Sequence, residues 1–393
     1  VHSSRSSANY LQGAAATLNV AKGLDVSAFV SYRTIDATVK SDSISTIQTS
    51  GLHRTEQEIG KQGAAKAFLA GGNLHYSFKG FHVGATGIFY SYSLPLYPDK
   101  SQLYKRFAPE GKSFWNMSVD YGYISHRLTM QGETAMGDCG VVATVNSMSY
   151  LFSEKWSLLA LYRFYPYRYY AMYSNSFKAG SDVQDESGGY VGMRWTPSAK
   201  WMVEAYGDVA YFAWPKYHTT GSTYAMDYLV SAVCQLSSFI SMGARYQYKW
   251  KNEATTQRAR LYLRMNRSEW SSKTQVDATW LSGSRGYMAS EAFAYRYRWL
   301  RLQASMGYFH TSDYDSRVYA LEPGMLYTMS FGSYFGEGIR CALLAKVDVG
   351  SHWLLACKWA MTQYFDRNHI SSGLQQINGS CQSDLELQLK WKW

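Results

Sequence analysis

The chain has 393 residues, a formal net charge of +10 and a mean hydropathy of −0.30. Charged residues make up 17% of it, below the ~25% of an average soluble domain, whereas aromatic residues make up 16%. No segment has the ~18 unbroken apolar residues of a transmembrane helix, which argues against a helical membrane protein. The 34 Tyr and 13 Trp are residue types that collect at membrane–water interfaces, so the composition predicts a protein that crosses a membrane with strands.

Alternating apolar and polar residues predict strands along most of the chain. The alternation is clear in residues 24–33, 115–123, 201–211, 240–250 and 258–266. Because side chains on a strand alternate with a period of two, each segment has one apolar and one polar face. We therefore predict an all-β fold, an antiparallel transmembrane β-barrel of the outer-membrane type with about 20 strands. The exact count depends on whether residues 318–335 form one strand or two.

Short and long turns separate the predicted strands, as short periplasmic turns and long outer loops do in outer-membrane barrels. Short turns include Lys79–Gly80 and Ser271–Ser272, and long ones include Ile35–Ala64 and Pro166–Ser187. On this pattern the strand Ala14–Val20 runs from the outside to the periplasm, so an earlier strand is expected upstream. Residues 1–393 are thus expected to form a single barrel domain that is the C-terminal part of a larger, here incomplete, barrel.

The chain ends in DLELQLKWKW, in which every second residue is apolar. An amphipathic final strand with a terminal aromatic residue resembles the signal read by the machinery that inserts outer-membrane barrels. That signal more commonly ends in Phe, and here Leu389, Trp391 and Trp393 would carry it. The expected location is the outer membrane, and the expected partners are its lipid and the barrel-assembly machinery.

Several stretches resemble a family of Gram-negative envelope proteins, the helix-hairpin-helix domain-containing proteins with a C-terminal outer-membrane barrel. The stretches are HSSRSSANYLQGAAAT, TSGLHRTEQEIGK, GGNLHYSFKGFHVGATGIFY, FWNMSVDYGYISHRLTMQGETA, RFYPYRYYAMYSNSF and SSGLQQINGS. The resemblance implies that a signal peptide, small helical hairpins of a DNA-binding type and the first strands precede this region in the family. The helical hairpin of the family resembles that of competence proteins that hold DNA, while the matched stretches themselves lie in the barrel.

The polar faces of the predicted strands carry more basic than acidic side chains. The candidate basic lining of the lumen is Arg245, Lys249, Arg258, Arg260, Arg264, Arg296, Arg298, Arg301, Arg340 and Lys358. A positive lumen would favour anionic cargo such as phosphates, acidic sugars or nucleic-acid strands. The same residues could instead form cross-strand ion pairs that brace the wall.

A second candidate lies in the segment Arg163–Glu186, which interleaves basic and aromatic side chains. The candidate residues of this outer loop are Arg163, Tyr165, Tyr167, Arg168, Tyr169 and Tyr170. Aromatic–arginine surfaces stack on sugars or bases. The same residue types also form the aromatic girdle at the outer rim of a barrel, and the sequence leaves both interpretations open.

Sequence motifs for catalysis and metal binding are absent. The 9 His are scattered and the 5 Cys have no metal-binding spacing, and no GxSxG, P-loop or dinucleotide fingerprint occurs. We therefore predict no enzyme and no catalytic, cofactor or metal site. Cys341 and Cys357 are expected on the outward face of two paired strands, where they could be neighbours.

The predicted function is that of a channel or transport barrel, for anionic cargo or DNA-linked uptake. The alternative is a plugged, structural or binding envelope protein whose activity lies in a periplasmic domain outside this sequence. A third hypothesis is an outer-membrane hydrolase that assembles Ser, His and Asp from distant strands, which would need a cleft of convergent groups.

Overall fold

A computed structural model describes residues 10–328 and 330–391. The described chain is all-β, with one four-residue helix, α1 (Glu56–Ile59), and two short 3-10 turns, Leu103–Lys105 and Gly373–Gln375. In chain order the strands are β1 (Gly13–Ala21), β2 (Leu24–Ile35), β3 (Ala37–Lys40), β4 (Ser43–Ile47), β5 (Ala65–Phe78), β6 (Phe81–Leu96), β7 (Gly111–Ile124), β8 (Leu128–Gly137), β9 (Val142–Ser153), β10 (Trp156–Tyr165), β11 (Glu186–Ser198), β12 (Trp201–Phe212), β13 (Thr223–Gln235), β14 (Ile240–Lys251), β15 (Ala254–Asn266), β16 (Trp270–Leu281), β17 (Ser284–Tyr297), β18 (Leu300–Thr311), β19 (Val318–Glu322), β20 (Ser330–Tyr334), β21 (Glu337–Val349), β22 (Trp353–Tyr364), β23 (His369–Ile370), β24 (Ile377–Asn378) and β25 (Cys381–Trp391).

None of the helices in the described residues has the length and apolar character needed to cross a membrane. β19 pairs with β20 and β23 pairs with β24, as two small separate hairpins. The other 21 strands agree with the predicted count of about 20. Residues 318–335 therefore supply no strand to the main ladders, which settles the ambiguity left by the sequence.

The chain forms two compact units, which we describe separately. Within the described residues, the first unit contains 10–194 and 206–227, and the second contains 195–205, 228–328 and 330–391.

In the first unit, β1, β2 and β5 to β10 form an antiparallel ladder in which each strand pairs with the next. The predicted turn at Lys79–Gly80 joins β5 to β6, and both residues have positive φ (45° and 86°), as tight two-residue hairpins require. Side chains such as Met117 and Val119 are exposed on one face of the ladder. The core lies on the opposite face, where it includes Tyr90.

In the second unit, β14 to β18, β21, β22 and β25 form a second antiparallel ladder. Alternation is clearest on β22, where six alternate side chains are buried: Leu354, Ala356, Lys358, Ala360, Thr362 and Tyr364. The residues between them, such as Leu355 and Trp359, are exposed. We call the buried, charge-bearing side of this ladder its polar face and the other its apolar face.

One local prediction was wrong, and one point that the sequence left open is now settled. The turn expected at Ser271–Ser272 lies at residues 267–269, because β16 already begins at Trp270 and its pairing with β15 includes both serines. Cys341 and Cys357 are not neighbours, since Cys341 lies opposite Met361 and Cys357 lies opposite Ala345. The four-residue offset along the strands separates the two sulfur atoms.

Candidate functional site

The basic residues of the second unit form two groups on its polar face. We name the first group, on β14 to β18 and β21, the open basic patch. It consists of Arg245, Arg258, Arg260, Arg264, Lys273, Arg296, Arg301 and Lys346. The second group, Arg340 and Lys358, is covered by another part of the chain.

Like charges lie directly opposite one another in the open basic patch. Arg245 is opposite Arg260, and Arg264 is opposite Lys273. Such cross-strand pairs of like charge destabilise a sheet. Arg260 has a compensating partner, since its Nε donates to Asp277 Oδ1 at 2.6 Å. Arg245 and Arg258 are exposed, and neither guanidinium makes a hydrogen bond or ion pair with any residue that the structure describes.

An aromatic ring separates two cations of this patch. The Tyr262 ring centroid lies 5.8 Å from the Arg264 Cζ and 5.3 Å from the Lys273 Nζ. The ring lies against Gly243 on the neighbouring strand, where a Cβ atom would come within 2.3 Å of it. Gly243 therefore leaves room for the Tyr262 ring. The π-electrons of this ring partly compensate the positive charges of Arg264 and Lys273.

A row of three basic residues continues the patch across β17, β18 and β21. Arg296 is opposite Arg301, and Arg301 is opposite Lys346. Arg301 Nη2 donates to Asp348 Oδ2 at 2.7 Å, and Lys346 Nζ donates to the Gly324 carbonyl oxygen at 2.9 Å. The row lines a cavity of about 290 Å³.

Two other residues of the predicted basic lining have different surroundings. Lys249 lies on β14 opposite Thr256, on the same face as Arg245. Arg298 lies in the turn between β17 and β18 with a φ of 43°, and its Cζ is 5.4 Å from the Tyr297 ring centroid. Arg298 is thus at the end of the ladder and not within a strand.

The covered group is neutralised by a residue that sequence reasoning missed. We name β19, β20 and their connection, residues 318–334, the inner hairpin, because it packs on the polar face of β21, β22 and β25. Glu322 on this hairpin accepts hydrogen bonds from Arg340 Nε at 2.8 Å and Nη2 at 3.0 Å. The Lys358 Nζ lies 3.8 Å from Glu322 and 3.2 Å from Glu386, and it is buried.

Apolar and main-chain contacts extend the cover. Met325 and Leu326 pack with Leu344 and Leu354 of the strands below. The Leu326 N–H donates to Gln388 Oε1 at 2.8 Å, and Gln388 Nε2 donates back to the Leu326 carbonyl oxygen at 3.3 Å. The inner hairpin therefore covers Arg340 and Lys358, and it reaches the edge of the open basic patch at Lys346.

In the first unit, Arg163 lies in a strand and not in a loop. It is fully buried on β10, where Nη1 and Nη2 donate to the Asp208 carboxylate at 2.6 and 3.1 Å. Glu186 accepts from Arg163 Nε, and also from the Ala179 and Gly180 N–H groups at 2.8 Å each. Arg163 is thus used in a buried ion cluster that anchors the loop of residues 166–185.

Most aromatic residues of the predicted outer loop pack within the protein. Tyr165 and Tyr169 are buried, and burial raises the pKa of the Tyr169 hydroxyl to about 12. Tyr170 is half-buried, and its carbonyl oxygen accepts from Asn116 Nδ2 at 3.0 Å.

Tyr167 and Arg168 are the exposed members of this loop set within the described residues. Tyr167 stacks on Trp214 with 5.9 Å between ring centroids, and the Arg168 Cζ lies 5.8 Å from the Phe107 ring. Of the predicted loop set, only these two described residues, with their aromatic neighbours, offer a cation–aromatic surface to a ligand.

Two residues of the predicted insertion signal lie on β25. Leu389 and Trp391 are exposed on the apolar face, and Trp391 stacks with Trp353 at 6.0 Å between ring centroids. Trp393 lies outside the described residues. In the part of the chain that the structure describes, no group of three or more His, Cys, Asp or Glu residues is placed to hold a metal ion.

Comparison with protein-family models finds no match, and no curated protein matches the chain. Solved structures do. The FrpB iron transporter from Neisseria meningitidis, F3-3 variant, is similar with a TM-score of 0.51 and 8% identity, over 97% of this chain and 72% of that chain. The apoprotein form of its F5-1 variant gives a TM-score of 0.50 and 9% identity, over 97% and 71%.

At this low identity the likeness shows the fold alone. The copper transporter OprC gives a TM-score of 0.48 and 7% identity, over 93% of this chain and 67% of that chain. The FrpB structures are of transporters and not of enzymes. The prediction of an all-β antiparallel fold is confirmed, and this chain is similar in fold to the FrpB transporter structures.

Proposed function

We propose that this protein is a transport barrel of the outer membrane that passes anionic solutes along the open basic patch. The observation that carries the proposal is the pairing of like charges across neighbouring strands at Arg245–Arg260, Arg264–Lys273, Arg296–Arg301 and Arg301–Lys346. Such an arrangement opposes the stability of the sheet, so it needs a reason other than bracing. An anion that passes over the patch supplies the missing negative charge.

Cross-strand ion pairs account for only part of the patch. Arg260 and Arg301 have carboxylate partners in Asp277 and Asp348. Arg245, Arg258 and Arg296 have no such partner among the described residues. Unpaired, accessible cations on a partly enclosed face attract small anions by electrostatics, and nucleic-acid strands belong to the same class through their phosphates.

A plugged or binding protein is the second candidate, and one observation favours it. In the second unit the inner hairpin packs on the polar face through Glu322 and Leu326. In the first unit the loop of residues 166–185 packs on the buried face through Tyr170 and the Glu186 cluster. Segments that cover these faces reduce the space for cargo.

Ion selectivity in planar bilayers tests the transport proposal. The full chain is reconstituted, and reversal potentials are measured across a salt gradient. We expect open, anion-selective steps whose selectivity falls at high salt, because the screening length shrinks to about 3 Å at 1 M. In the variant Arg245→Gln, Arg258→Gln, Arg264→Gln the anion preference should fall clearly, since these side chains provide accessible positive charge.

A matched control removes three positive charges elsewhere. Lys22→Gln, Lys79→Gln, Lys200→Gln changes exposed residues of short turns outside the patch and should keep the anion preference. A cation-selective wild type, or equal selectivity of the two triple variants, contradicts the proposal. A folded protein that gives no conductance at all supports the plugged barrel instead.

A further inference from the structure

A cavity at one end of the ladder in the second unit, next to the turn between β15 and β16, collects four cationic side chains. It has a volume of about 290 Å³ and is lined by Arg267, Arg296, Arg301 and Lys346, with Glu269 as the acidic residue of its lining. Three of the cations form the cross-strand row described above, and Arg267 joins them from the turn between β15 and β16. Positive charge therefore converges here from four separate segments of the chain.

Neighbouring groups hold several of these cations in place without neutralising the cavity. Arg301 donates one N–H to Asp348, which leaves other guanidinium donors available. Lys346 donates one N–H to the neutral Gly324 carbonyl and keeps two more. The Arg267 Cζ lies 3.7 Å from the Phe239 ring centroid, which orients the guanidinium without cancelling its charge.

Arg296 is the residue that most needs an explanation. It is exposed at the cavity and faces Arg301 across the strand pair. Its backbone N–H donates to the Glu269 carbonyl oxygen at 2.7 Å, but its guanidinium makes no hydrogen bond or ion pair with a residue in the described part of the chain. A guanidinium held opposite another guanidinium is stabilised when one anion bridges the two.

We propose that this cavity binds a small dianionic oxyanion of the phosphate class. Planar guanidinium groups match pairs of oxygen atoms on such an anion, and a lysine adds a compact point charge. The lining also includes Trp270, Tyr295 and Leu302 from the apolar face, so the phosphate group recognised here is that of a free solute or of a lipid headgroup. The idea that the cavity binds cargo rests on the proposed function. The prediction that the cavity binds phosphate at equilibrium does not depend on that function.

Inorganic phosphate is the probe. The full chain in an uncharged detergent is titrated with phosphate by isothermal titration calorimetry and by phosphorus NMR, with chloride at the same ionic strength as the comparison. We expect saturable binding of one phosphate that weakens as sodium chloride is added. Arg296→Gln should weaken the affinity at least about tenfold, because it removes a charge-assisted partner.

Two further variants separate a specific site from a general positive potential. Ala294→Leu adds volume inside the cavity without changing charge, and it should weaken binding as well. Arg285→Gln removes the same charge from the same strand but outside the cavity, and it should leave the affinity within about twofold. Thermal unfolding followed by circular dichroism verifies that each variant is folded.

The outcomes distinguish this inference from the proposed function. Unsaturable phosphate binding, or equal affinities for Arg296→Gln and Arg285→Gln, overturns the inference even if the barrel conducts anions. Saturable binding that depends on Arg296 and on the free volume at Ala294 upholds it even if the barrel is silent in bilayers.

Discussion

The Glu322 carboxylate accepts hydrogen bonds from Nε and Nη2 of Arg340, at 2.8 and 3.0 Å, and so joins the inner hairpin to β21. Both side chains are largely buried, with 3% and 12% of their surfaces exposed. A buried carboxylate of this kind needs partners for its charge, and here Arg340 and Lys358 both supply them. The position of the hairpin thus depends strongly on one acidic residue.

Glu322→Gln is expected to release the inner hairpin from the polar face. The variant leaves Arg340 and Lys358 without their shared carboxylate, and breaking a buried pair costs about 3–5 kcal/mol. Limited proteolysis with mass spectrometry should show faster cleavage within residues 312–336. Asp315→Asn is the control, because it removes the same charge in the same loop from a side chain that is 73% exposed. Equal cleavage of the two variants would show that Glu322 does not hold the hairpin.

Neighbouring glycines on β11 should respond differently to alanine. A Cβ on Gly188 would lie 2.7 Å from the Arg163 Cζ, whereas a Cβ on Gly189 would have no atom within 4 Å. Gly188→Ala should therefore displace Arg163 from Asp208 and Glu186 and lower the unfolding free energy by about 2–3 kcal/mol. Gly189→Ala should stay near wild type. Denaturant unfolding in detergent measures both, and indistinguishable curves would rule out the close packing at Gly188.

A charge on the apolar face of β15 should impair membrane insertion. Leu261 is 60% exposed on that face, and Arg near the bilayer midplane costs about 2–4 kcal/mol. Leu261→Arg should insert less completely into liposomes than wild type. Thr256→Arg places the same charge on the other face of the same strand and should insert normally. Insertion is followed by resistance to added protease. Normal insertion of Leu261→Arg would mean that this face does not contact lipid.

Protonation of Glu58 should loosen the turn of helix around α1. Hydrogen bonds from the Arg54 side chain and backbone N–H lower the pKa of the Glu58 carboxyl from 4.5 to about 2. Because the folded pKa lies below the unfolded one, the stabilisation is complete above pH 4.5 and is lost as the pH falls towards 2. An NMR titration of the Glu58 carboxyl carbon measures this. Arg54→Gln should return the midpoint towards 4.5, and a wild-type midpoint already near 4.5 would contradict the pair.

Strands and their faces could be predicted because alternation is a local property of the sequence. On β22, charged Lys358 and apolar Trp359 point in opposite directions, as their alternation indicates. Pro166 ends β10 at Tyr165, since proline lacks the N–H that a ladder needs. Sequence therefore predicted which residues share a face, but not which partner each one meets there.

The alternation of apolar and polar residues could not predict contacts between segments that are distant in the sequence. The sequence does not show that β19 and β20 pair with each other as a separate hairpin. Glu322 of β19 contacts Arg340, and Leu326 of the connection contacts Gln388, which lies 62 residues further along the chain. Arg163 was grouped with the loop that follows it because its partner Asp208 is 45 residues away. Glu322 was missed because the sequence left open whether residues 318–335 form one strand or two.

The hydrogen bonds between Leu326 and Gln388 also impose an order on assembly. The inner hairpin follows β18 in the chain, yet its partner Gln388 belongs to β25, which is synthesised 62 residues later. The hairpin can therefore complete its contacts only when β25 is in place. Full resistance of the hairpin to cleavage would consequently report that β25 has reached its position.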